Sequence, residues 1–165
     1  MNTFLRRIGG MAFAISFLTV VVTGPVNAGN QVPFKGSLEG LVTITPLEAP
    51  FAFVLIEGTG NATQLGHFTV EIAHIVNFAT ATAVGTFEFT AANGDALTAV
   101  FTGQAGPSEN PDIVSIVETA SITGGTGRFA GATGSFTVER LFDPVGLTTT
   151  GSFEGTISSP GGSTR

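Results

Sequence analysis

Three ionisable residues stand on the apolar faces of otherwise alternating segments. His74 keeps step with Phe68, Val70, Ile72, Val76 and Phe78. Glu118 keeps step with Val114, Ile116, Ala120 and Ile122, and Arg140 with Phe136, Val138 and Phe142. Successive side chains of a strand point to opposite faces, so each of the three lies on the face meant for the core. A buried charge is costly unless it is paired. Glu118 therefore needs a cation, and Arg140 and His74 are the candidates. Two kinds of chemistry are open. One is a structural ion pair near the strand ends, where Arg140 lies and where a bulge can shift register. The other is a polar cluster in an otherwise apolar pocket, the usual form of a small-molecule site. His74, Glu118 and Arg140 are the candidate ligand-binding residues, and no catalytic residue is assigned.

Other chemistries lack their parts. His67, Glu71 and His74 are metal-ligand types, but on a strand His67 and Glu71 share one face while His74 takes the other. Their spacing also differs from the helical zinc motif. His67 and Glu71 read as surface residues, and neither a metal nor a cofactor is expected. The run Gly124 to Gly134 has the glycines of a phosphate loop, yet Arg128-Phe129 stands where Lys-Ser/Thr is needed and a strand-like segment follows instead of a helix. It reads as a turn with bulges. With no Gly-x-Ser-x-Gly elbow and 2 His in all, Ser/His/Asp catalysis has no support. The absence of Cys excludes thiol catalysis and thiolate metal sites. Asn61-Ala62-Thr63 fits the short glycosylation acceptor pattern and decides nothing alone.

The elements that must position these residues follow a region of different character. Arg6 and Arg7 precede an apolar run from Met11 to Val22. Gly24-Pro25 ends that run, and Val26-Asn27-Ala28 offers small residues for cleavage. The pattern predicts a secretory signal over 1–28, too short to span a membrane as a helix. The remaining chain, 29–158 with a disordered tail 159–165, has the length of one domain. It is expected outside the cell or in a periplasm. Its basic residues are Lys35, Arg128, Arg140 and Arg165, set against 12 acids. Nucleic acid, which needs clustered Lys and Arg, is excluded as a partner, and no membrane partner is expected after signal cleavage, anionic surfaces being disfavoured by charge. The aromatic content is 15 Phe with no Trp or Tyr, which weighs against a lectin and against an outer-membrane barrel. Glu39, Glu88, Glu139 and Glu154 fall on polar faces and read as a solubilising surface.

Thr, Val and Phe with frequent Gly favour strands and turns, and period-two alternation recurs throughout. The expected strands run 34–45, 51–57, 66–78, 84–90, about 97–101, 113–123, 135–142 and 148–158. Pro46 and Pro50 interrupt the first pair, and Gly58 to Thr63 and Gly103 to Pro111 read as loops. Asn93-Gly94 between alternating runs predicts a hairpin of two or slightly more residues. About eight strands, each with one apolar face, predict an all-β fold, an antiparallel closed barrel or, as the alternative, a β-sandwich.

Ile122-Thr123-Gly124-Gly125-Thr126-Gly127-Arg128-Phe129-Ala130-Gly131-Ala132-Thr133-Gly134 resembles the glycine segment of the dirigent and allene oxide cyclase superfamily of eight-stranded barrels. Gly58 to Thr63 and Ala91 to Asp95 are similar to segments of secreted bacterial proteins that share it and have no assigned activity. The resemblance covers about a dozen residues and implies the fold better than the function. It implies a homo-oligomer, a trimer. The leading expectation is a non-enzymatic extracellular barrel that binds a small apolar ligand or serves a structural role. The alternative is a cyclase-like or dirigent-like enzyme acting on a small apolar substrate inside the barrel. An open interior with converging polar groups favours ligand or substrate; a filled one favours structure.

Overall fold

The computed structural model describes residues 30–158; the expected signal and tail lie outside the described residues. Eight strands follow in order: β1 (Gln31–Pro46), β2 (Phe51–Ala62), β3 (Gly66–Asn77), β4 (Thr82–Ala91), β5 (Ala96–Pro107), β6 (Val114–Gly125), β7 (Gly134–Asp143) and β8 (Thr148–Ser158). Each pairs antiparallel with the next, and β8 closes on β1. The chain is an all-β, closed antiparallel barrel and not a sandwich. Closure leaves no sheet edge to pair with another chain.

The strands are longer than the turn signals suggest. Gly58 to Thr63 is not a loop: β2 runs through it to Ala62. Nor does Gly103 open a loop, since β5 runs on to Pro107. Glycine inside a strand marks close approach as well as turns. A side chain on Gly60 would strike the Ser37 carbonyl oxygen and the Phe68 ring, and one on Gly58 would strike the Glu39 carbonyl oxygen. The expected hairpin is present. The Gly94 amide donates to the Ala91 carbonyl at 2.8 Å and the Ala91 amide to the Asp95 carbonyl at 2.9 Å. Gly94 has φ 87°, a region that glycine enters freely.

The glycine run after β6 turns the chain back into the barrel. The β5–β6 register shifts between Thr98 and Ala99, a bulge that leaves Thr123 out of the ladder. A 3₁₀ turn, Gly127–Phe129, then buries Phe129 completely. The Arg128 Nη2 donates across the barrel end to the carbonyls of Gln64 at 3.0 Å and Leu65 at 3.3 Å, tying this corner to the β2–β3 turn.

The inward side chains divide the barrel in two. Near the end closed by Phe129, the rings of Phe34, Phe68, Phe89, Phe136 and Phe153 meet, with centroids from 5.0 Å (Phe34–Phe153) to 6.2 Å (Phe34–Phe89) apart. These separations suit edge-on and tilted aromatic packing, which adds about 0.5–1.5 kcal/mol per pair beyond burial. Toward the other end the inward positions of β4 and β5 are small, at Ala83, Gly103 and Ala105, and the interior is open.

Candidate functional site

The open half holds a cavity of about 220 Å³. Its walls are aliphatic, with Val42, Ile56, Val76 and Ile116 facing in from β1, β2, β3 and β6. Ile44 and Phe78, expected on the inner faces, keep that orientation but stand at the mouth, 38% and 62% exposed. His74, Glu118 and Arg140 all line this cavity, and all are buried, at 6%, 0% and 2% exposed. Beyond them toward the packed half lie the buried Ile72, Ala120 and Val138; toward the mouth lie Val76, Ile116 and Phe142. The three polar residues therefore form its floor. His67 and Glu71 are exposed on the outer face of β3, away from it. Among the described residues no group of three His, Cys, Asp or Glu side chains could hold a metal ion.

Glu118 finds the partner that its burial requires. Arg140 Nε donates to its Oε2 at 3.0 Å and Nη2 donates to Oε1, a two-pronged pairing. Nη1 donates to Thr149 Oγ1 at 3.2 Å, and that hydroxyl donates to the Leu141 carbonyl at 3.0 Å. Both carboxylate oxygens are thus engaged and the pair is neutral overall. His74 packs edge-on against Phe101, centroids 5.7 Å apart, and among the described residues its Nδ1 has no hydrogen-bond partner. Burial, and secondarily the Arg140 guanidinium, lower its pKa from 6.5 to about 4, with the Ile72 carbonyl opposing only in part. The ring is neutral at ordinary pH.

Register explains how three long polar side chains fit in a narrow barrel. Each stands across the ladder from a glycine: His74 from Gly85, Glu118 from Gly103 and Arg140 from Gly151. A side chain on Gly151 would come within 2.6 Å of Arg140 Cγ, and one on Gly103 within 3.0 Å of Glu118 Cγ. The missing Cβ atoms let the polar chains lie over the neighbouring strand. Sequence reading missed these glycines and Thr149. Their only signal is the cross-strand pairing, which depends on turn lengths that the sequence does not specify.

Comparison with protein-family models, with curated proteins and with solved structures finds no match to this chain. The superfamily resemblance therefore rests on the glycine segment alone.

Proposed function

We propose that this protein is a secreted, non-enzymatic barrel that holds a small apolar molecule in its open half. One observation carries the reading. The interior is packed with Phe rings at one end and left as an apolar cavity with a built polar floor at the other. An eight-stranded barrel is just wide enough to be filled by side chains or to hold one small ligand, and this sequence divides its length between the two. An apolar chamber with a few convergent polar groups is the usual form of a binding site.

The floor fits binding better than catalysis. General acid–base work needs a free carboxyl or a base with a pKa near the working pH. Glu118 has both oxygens on Arg140, and His74 at about 4 is a weak base. Export rests on the tripartite pattern of 1–28, and N-terminal sequencing of the exported chain should begin at Gly29. Assembly as a trimer rests on the glycine-segment resemblance. Native mass spectrometry of the protein purified from its own host tests the binding reading. The expected result is a small non-covalent adduct lost on denaturation; a bare chain, with no uptake of added apolar compounds, contradicts it.

A further inference from the structure

We infer that the cavity selects an uncharged ligand bearing one hydroxyl group, seated with that hydroxyl against His74. The inference rests on the reading of the cavity as a ligand site and adds the ligand's chemistry.

Among the described residues five polar side chains line the cavity, and four have internal partners. Glu118 and Arg140 neutralise each other. Thr82 Oγ1 lies 2.7 Å from Thr80 Oγ1. The Gln104 amide nitrogen donates to the carbonyls of Ala81 and Ala105, both at 3.1 Å. His74 remains, more than nine-tenths buried; its Nδ1 is sealed from the cavity space and the ring leans on the Ile72 carbonyl, which leaves Nε2 as the nitrogen a ligand can reach. Among the described residues none hydrogen-bonds Nε2, and a polar atom facing an apolar chamber is costly until it finds a partner. The neutral imidazole has one donor and one acceptor nitrogen. A hydroxyl both donates and accepts, so it satisfies whichever nitrogen it meets.

The same groups argue against an ionic ligand. A carboxylate on this floor would find its only cation already paired. An ammonium would find the carboxylate occupied and the guanidinium beside it. Either ion would be buried without a free countercharge, which is strongly unfavourable. Size follows from volume: a 150 Å³ apolar cavity takes benzene, so about 220 Å³ has room for roughly nine non-hydrogen atoms.

The test is a matched series of octane, octanol, octanoate and octylammonium, titrated near neutral pH into the wild-type protein and into His74→Phe. Octanol should bind wild type roughly tenfold or more tightly than either ion. His74→Phe should weaken octanol by about fivefold, the worth of one hydrogen bond, and leave octane unchanged. Octanoate or octylammonium binding as well as octanol, or octanol indifferent to His74→Phe while octane still binds, overturns this inference and leaves the cavity reading standing. Failure of every member, octane included, overturns the cavity reading itself.

Discussion

At the level of single residues, the floor is a set of buried ionisable groups whose energetics can be separated. His74 titrates at about 4 when folded against 6.5 unfolded. Between those values the unfolded chain binds the extra proton, so His74 contributes stability that is complete above 6.5 and is lost as the pH falls toward 4. The full effect is about 3 kcal/mol. Thermal melts of wild type should therefore fall more steeply between pH 7 and 4 than those of His74→Phe; parallel curves would contradict the burial of a neutral ring. The Glu118–Arg140 pair makes a different prediction. Glu118→Gln or Arg140→Met alone leaves one buried partner uncompensated and should cost about 3–5 kcal/mol, whereas the double variant should cost much less than the two together. Additive losses in a denaturant cycle would show that the two groups act independently. The inward placement of all three residues was legible from alternation, because the pleat fixes which face a side chain takes. The partner of Glu118 could be narrowed but not chosen, since that choice depends on β6 and β7 being neighbours in a particular register.

At the level of elements, glycine explains both what the sequence showed and what it hid. Asn93-Gly94 was readable as a turn because Gly94 needs positive φ, and nothing lies within 4 Å of the place a Cβ would take. The constraint is conformational and not steric. Gly94→Val should cost about 1 kcal/mol or more, a fall of roughly 3–5 °C in melting temperature, while Gly94→Asn, which tolerates positive φ, should cost less. Equal melting temperatures for Val, Asn and Gly would remove the turn argument. Gly58 and Gly60 carry the same letter for the opposite reason, extended backbone with a neighbouring carbonyl too close for a side chain, and at Gly103 a side chain would press against Glu118 Cγ at 3.0 Å. Composition cannot separate the two uses, so two strands were expected to stop early. The remaining boundaries were close because Phe, Val and Thr alternate cleanly until a proline, asparagine or glycine intervenes.

At the level of the whole molecule, the division of the barrel is a matter of which residues alternate inward at which height. Large rings at Phe34, Phe89, Phe136 and Phe153 fill one end, and Ala83, Gly103 and Ala105 leave the other open. The sequence contained both sets, but their separation into two halves emerges only when eight strands are set in register. The central claim is that the open half, and not the outer wall, receives a small apolar molecule. Nuclear magnetic resonance mapping of octanol added to isotope-labelled protein tests it most directly. The account predicts shifts at Val42, Ile56, His74 and Ile116, with the Phe34–Phe89–Phe153 cluster largely unmoved. Shifts confined to outer-wall residues such as Val84 and Val100, or no shifts at saturating ligand, would contradict it.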